Sequence, residues 1–143
     1  MLLFKGCEYA HALQAIHTQC FVKPWSEENF QTILKLPNTF GFQQKNGFIL
    51  CSDLGEDIEI LTFAVIPADR QKGIGSSLLK SVQDWAIQQQ KKHIFLEVNA
   101  TNQPAVSLYL KNGFIQTGLR KNYYQEQHQT FDALCLTWQN PLL

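Results

Sequence analysis

The stretch Val65–Leu79, VIPADRQKGIGSSLL, decides how the rest of the chain is read. An apolar run ends at Pro67, a polar bend carries Arg70 and Lys72, and Gly73 and Gly75 open a segment whose apolar residues recur at helical spacing. This is the pattern of a strand, a loop and a helix N-terminus. Such a terminus exposes unpaired backbone N–H groups at the positive end of the helix dipole, so it can hold phosphate without a cation at every oxygen. A phosphorylated ligand is the expectation.

Outward from this stretch, the upstream segment Ile58–Ile66 is almost wholly apolar, as in a strand covered on both faces. Downstream, Ile74, Leu78, Leu79, Val82, Trp85 and Ala86 form one apolar helix face, and His93–Val98 (HIFLEV) is a second buried-type strand interrupted by Glu97. Strand, crossover helix and strand make a right-handed parallel unit. Asn102 can cap a further helix with Pro104 in its first turn, ending at Lys111-Asn112-Gly113. Phe114–Tyr124 and Thr130–Trp138 then read as two long strands around a polar bend.

Toward the N-terminus, Leu2–Lys5 suits a short strand, and Tyr9, Leu13, Ile16 and Cys20 share a helix face. His11 and His17 do not share a face well and read as solvated or half-buried. In Pro24–Phe30 (PWSEENF), Ser26 can cap a helix, Glu27 and Glu28 complement its dipole, and Trp25 and Phe30 have the spacing of a hydrophobic staple. That helix should stop before Pro37. Thr39–Gln44 and Gly47–Ser52 flank Lys45-Asn46-Gly47, where Asn-Gly predicts a hairpin turn with positive φ. The outline is α/β with a mixed sheet.

The length of 143 residues fits one domain spanning 1–143. Net charge is zero and no Lys/Arg block exceeds a pair, so there is no electrostatic footprint for nucleic acid or a membrane surface. Cys7, Cys20, Cys51 and Cys135 are scattered without zinc-ligand spacing; they read as reduced core residues, with no metal expected. The start MLLFKG lacks the pattern of a signal peptide, and no apolar run is long enough to span a bilayer, which points to a cytoplasmic protein.

Three ligand classes compete for Gly73-Ile74-Gly75. A P-loop needs GxxxxGK[ST], which is absent. A dinucleotide fingerprint would use Gly73, Gly75 and the downstream acid Glu97, but Leu78 stands where its third glycine belongs. The whole phrase Arg70-Gln71-Lys72-Gly73-Ile74-Gly75 matches [QR]xxGx[GA], the pyrophosphate-binding motif of GNAT N-acetyltransferases, and Asn102–Tyr109 (NQPAVSLY) matches that family's NxxAxxxY. The chain resembles this family over most of its length. LEVNATNQPAVSLYLKNGF, RKNYY and PWSEENF look most like its RimI branch, the ribosomal-protein-alanine N-acetyltransferases.

The resemblance implies a mixed, mostly antiparallel seven-stranded sheet splayed between its fourth and fifth strands, with about four helices. It implies acetyl-CoA as cosubstrate and, as acceptor, the N-terminal amine of a protein, with a ribosomal protein expected. A small-molecule or lysine acetyltransferase, or a non-catalytic acyl-CoA-binding or nucleotide-binding module, is the alternative. Backbone amides of Gln71, Lys72, Gly73, Ile74, Gly75 and Ser76 would meet the pyrophosphate beside Arg70, and Phe63, Ala64 and Val65 would lie along the pantetheine arm like an added strand. Asn102 would contact the coenzyme or simply cap its helix.

By the same resemblance Glu97 is the general base and Tyr109 the general acid; an outward-facing strand residue and a packed core tyrosine are the structural alternatives. Trp25, Tyr123 and Tyr124 would line the acceptor groove, although the staple accounts for Trp25 and sheet packing for the two tyrosines. Amine chemistry bears on the acceptor as well. Freeing a lysine of its proton at neutral pH costs about 3 kcal/mol more than freeing an α-amine, so a single carboxylate base suits an N-terminus.

Overall fold

The computed structural model describes residues 1–143. Its strands are β1 (Leu2–Phe4), β2 (Thr39–Gln44), β3 (Gly47–Asp53), β4 (Asp57–Val65), β5 (His93–Asn99), β6 (Ile115–Glu126) and β7 (Gln129–Gln139). Its helices are α1 (Ala10–Thr18), α2 (Glu27–Leu34), α3 (Ile74–Gln88) and α4 (Gln103–Lys111), with short 3-10 turns at Cys7–Tyr9 and Pro67–Asp69. The strands form one sheet in the order β1-β2-β3-β4-β5-β7-β6, antiparallel except where β4 meets β5. No helix is long and apolar enough to cross a membrane.

The sheet is covered on both faces. On one, α1 and α2 bury Leu13, Ile16, Phe30 and Leu34 against Phe4, Phe48, Leu50 and Ala64. On the other, α3 and α4 bury Leu78, Leu79, Val82, Val106 and Tyr109 against Ile49, Ile58, Ile60, Ile94, Leu96 and Leu136. β4 changes sides partway along. Leu50 pairs with Thr62 but Cys51 pairs with Ile60, leaving Leu61 as an extra residue, and this bulge reverses which face each later side chain meets. Ile60 therefore packs under α3 and α4, whereas Ala64, of the same parity, packs under α1 and α2.

β4 and β5 pair only at Asp57–His93, Ile58–Ile94 and Glu59–Phe95. Beyond these, β4 stays with β3 as far as Val65, while β5 stays with β7 as far as Asn99. The two central strands separate into the expected splay, with Leu61–Val65 on one lip and Leu96–Asn99 on the other.

Several local expectations hold. Ser26 Oγ accepts the Asn29 N–H at 3.1 Å, and the Trp25 and Phe30 rings lie 5.1 Å apart. Others are corrected. The β2–β3 turn is Lys45-Asn46, with φ of 51° at Lys45; Gly47 already pairs with Gln44. Gly47 answers to packing, since a Cβ there would come 3.1 Å from Val65 Cγ2 and 3.3 Å from the Ala64 carbonyl oxygen. At the other end of the sheet, β6 and β7 extend further than expected and leave only Gln127-His128, both at positive φ, as the bend. Of the four free cysteines only Cys51 is fully buried, and Cys7 is exposed. His17 is no solvated histidine but 2% exposed, because it follows Leu13 by four residues and so shares the helix face that meets the sheet.

Candidate active site

The loop between β4 and α3 forms a cradle at one end of the splay. Gly73 caps α3 at φ 81°, and the Gln71 backbone also lies in the left-handed region, at φ 63°. The first α3 hydrogen bond runs from Ser77 N–H to Gly73 O at 3.0 Å, which leaves the N–H groups of Ile74, Gly75 and Ser76 outside the helical ladder. A Cβ on Gly73 would meet nothing within 4 Å, so the chain is open on that side of the helix start, and free amides at such a terminus are of the kind that hold an anionic group. The Ile74 side chain turns inward to the core, so this residue faces the cradle through its backbone. Arg70 bends back to donate from Nε to the Val65 carbonyl oxygen at 2.9 Å, and exposed Lys72 pairs with Asp69 at 3.4 Å.

From the cradle the lip of β4 leads inward through Val65, Ala64 and Phe63. β4 pairs with β3 along this segment and has no strand partner on its other edge, which suits an extended ligand. The Phe63 ring lies 6.0 Å from Tyr109, edge to face, and Tyr109 in turn packs edge to face on Phe114 at 5.6 Å. Tyr109 is 6% exposed, and burial holds its hydroxyl well above the usual phenol range. Asn102 caps α4, its Oδ1 accepting the Ala105 N–H at 3.3 Å.

Glu97 sits on the opposite lip. Leu96 and Val98 point into the α3–α4 core, and strand alternation turns Glu97 to the other face, where its carboxylate receives Arg120 Nε at 3.0 Å. Glu59 joins it there: burial, and then the neighbouring Glu97, push the Glu59 carboxyl up, with Arg120 partly offsetting both. Tyr124 lies within electrostatic reach of both Glu97 and Tyr109, and its own hydroxyl is pushed up to about 12, by burial first and by Glu97 next. Two carboxylates, one guanidinium and Tyr124 thus converge where β4 and β5 part, and Tyr124 links them to Tyr109 in the α3–α4 core.

Two walls flank this convergence. One is the segment between α1 and α2, with Trp25 half-buried and Phe21 and Val22 exposed. The other is the β6–β7 hairpin, whose pairing slips between Arg120 and Tyr124; there Asp132 Oδ1 holds the Asn122 N–H at 2.9 Å. The slip turns Tyr123 under the Arg120 guanidinium at 5.4 Å and against Tyr124 at 5.1 Å. Lys23 Nζ donates to the Gln125 carbonyl oxygen at 3.1 Å and ties the walls together.

The structure thus gathers Phe63–Val65, the 70–76 loop, Glu97, Tyr109 and Tyr124 around the splay, with Trp25 and Tyr123 in its walls and Asn102 at the start of α4. Sequence reading did not single out Glu59, Arg120 or Lys23, and it took His17 for a solvated or half-buried residue. Asp57 and Glu59 carried a period-two polar signal inside an apolar strand; no local feature ties Arg120 to Glu97.

A profile of the acetyltransferase (GNAT) family matches residues 10–114. The chain is 32% identical over 121 residues to the N-alpha-acetyltransferase RimI of Mycobacterium tuberculosis, covering 77% of this chain and 75% of that one. It is 29% identical over 118 residues to the [ribosomal protein bS18]-alanine N-acetyltransferase of Escherichia coli, covering 79% of each. The fold superposes on the crystal structure of the Escherichia coli ribosomal-protein-S18-alanine N-acetyltransferase with TM-score 0.86 and 24% identity, over 96% of this chain and 92% of that one. It superposes on Arabidopsis thaliana NAA60 in complex with acetyl-CoA with TM-score 0.80 and 20% identity, over 96% and 97%. The splayed sheet, the glycine cradle and this family match agree: the chain belongs to the acetyltransferase (GNAT) family and is an acetyl-CoA-dependent N-acetyltransferase.

Proposed function

We propose that the enzyme transfers the acetyl group of acetyl-CoA to the N-terminal α-amine of a protein, the acceptor class being ribosomal proteins, as the names of its relatives suggest. The observation that carries this reading is Glu97, a carboxylate on the lip of the splay, flanked by the α1–α2 segment and the β6–β7 hairpin.

In this reading the amides of residues 71–76 and Arg70 hold the pyrophosphate, and Phe63, Ala64 and Val65 line the pantetheine arm, bringing the thioester into the splay. Asn102 borders the coenzyme from the start of α4. Trp25, Tyr123 and Tyr124 guide the acceptor between the walls. Glu97 takes the proton of the incoming amine and Tyr109 returns one to the departing thiolate, by direct attack with both substrates bound. Tyr109 is protonated at neutral pH, the form a proton donor needs, although burial makes it a weaker acid than a free phenol. Acid–base assistance of this kind contributes about 10² to 10⁴ in rate, and positioning of amine against thioester supplies much of the remainder.

The test is a mass shift dependent on acetyl-CoA across peptides with varied first residues, run beside free lysine, polyamines and aminoglycosides. Acetylation confined to peptide N-termini is expected. Turnover of the small amines or of lysine side chains in preference to every N-terminus would overturn the acceptor assignment. Glu97→Gln should cut kcat by about 10² or more while the Kd for acetyl-CoA stays as in the wild type; unchanged kcat would remove Glu97 from the role of base.

A further inference from the structure

The residues between α1 and α2 form one wall of the site, yet little holds them in place. The segment begins with Cys20 and Phe21 donating their N–H groups to His17 O, and ends at the Ser26 cap of α2. Between these ends it is fixed by Cys20 Sγ at 3.4 Å from Val65 O, by Lys23 reaching Gln125, and by the Trp25 N–H donating to His17 Nδ1 at 3.1 Å.

His17 faces β4 with its other nitrogen, Nε2, 3.0 Å from Thr62 Oγ1. Because Nδ1 accepts a backbone N–H, it carries no hydrogen; the single ring proton is on Nε2 and is donated to the threonine hydroxyl. Burial lowers the imidazole pKa to about 4, so this neutral tautomer persists through neutral pH. The ring stacks on Phe21 at 4.1 Å, meets Trp25 and Phe30 at 5.3 Å each, and has Phe48 beyond. An aromatic hydrocarbon would fill that space equally well, but it would leave the Trp25 N–H and the Thr62 hydroxyl without their partner in a dry pocket. The polar edges of His17 therefore do something that packing does not. Thr62 is the first residue past the β4 bulge and the neighbour of Phe63, so the ring connects the lip of the splay to the wall that carries Trp25.

We infer that His17 is a positioning residue for the acceptor: its ring, bridging Thr62 to the Trp25 amide, sets the distance between the α1–α2 wall and the β4 lip at which the acceptor amine meets the thioester. The inference rests on the acceptor-side reading of that wall given above.

Two amides dissect the bridge. The side-chain oxygen of asparagine falls where Nδ1 stands, whereas the amide of glutamine reaches the Nε2 position. His17→Asn keeps a partner for the Trp25 N–H and loses Thr62; His17→Gln keeps Thr62 and releases the wall. In the full-length chain, His17→Gln should speed amide hydrogen exchange over residues 19–26 and raise KM for the peptide acceptor by about tenfold, the worth of one hydrogen bond, with KM for acetyl-CoA unchanged. His17→Asn should leave exchange over residues 19–26 near the wild type but raise the acceptor KM as Thr62→Val does, because it frees the β4 end of the bridge. Thr62→Val, which preserves strand shape, should raise the acceptor KM from the other side of the bridge and keeps the test available should a His17 variant fold poorly.

Equal effects of the two amides on exchange over residues 19–26 would reduce His17 to a packing role and overturn the inference. So would faster exchange at an unchanged acceptor KM. The exchange readout needs no acceptor, and if the enzyme acetylates only another amine, the function proposed above fails while the same variants test His17 on the KM of that amine.

Discussion

In the proposed mechanism Tyr109 serves both core and chemistry. Its ring belongs to the α3–α4 core between Phe63 and Phe114, so the structural alternative considered from sequence, a packed tyrosine, is true of the ring and says nothing against its hydroxyl. Tyr109→Phe keeps the ring and removes only the oxygen. It should leave the melting temperature within a few degrees of wild type and lower kcat by about 10² to 10⁴, read by steady-state kinetics with acetyl-CoA binding measured in parallel; full kcat would transfer the proton-donating role elsewhere, with Tyr124 the nearest phenol. Glu97 was legible as a polar interruption in an apolar strand. Its partner was not, because Arg120 reaches it through the order of strands in the sheet and not through any local spacing. His17 was misread because it was compared with His11 instead of with Leu13, whose face it shares.

Among the elements, α2 is the one most plainly written into the chain. Ser26, Glu27, Glu28, Trp25 and Phe30 supply cap, dipole complement and staple within six neighbouring positions, and each occupies its expected place. Ser26→Ala should cost about 1 kcal/mol, seen as a lower denaturation midpoint with an unchanged denaturant slope; no change would mean that water replaces the cap without loss. β4 is the opposite case. Ile58–Ile66 is apolar on both parities, so it fits either register, and the extra residue at Leu61 becomes fixed only when β3 lies beside it. That bulge aims Thr62 at His17 while Phe63 turns toward Tyr109, which makes it the element on which the site's geometry depends. The β2–β3 turn shows a similar override: Asn-Gly is a strong local signal, but the facing pairs Phe40–Cys51 and Phe42–Ile49 move the turn back by one residue.

For the molecule as a whole, burial of His17 links stability to pH. The unfolded imidazole titrates near 6.5 and the native one near 4, so between these values the unfolded chain binds the proton more readily. The stabilisation is complete above pH 6.5 and is lost as pH falls toward 4, by roughly 3 kcal/mol in all. Thermal melts from pH 7.5 to 4.5 should therefore decline, and His17→Gln should flatten that decline; an identical slope in the variant would assign the loss to carboxylates alone. By itself the sequence determined the elements and the ligand class: caps, periodicities and the two motifs depend on residues a few positions apart, and their physics is local. Tertiary structure alone decided that β7 lies between β5 and β6, that β4 bulges, and that Glu59, Glu97 and Arg120 meet at the splay. Such pairings join distant segments, and they are selected by which arrangement buries both faces of the sheet at the least loss of chain entropy, a comparison between whole folds that no short stretch contains.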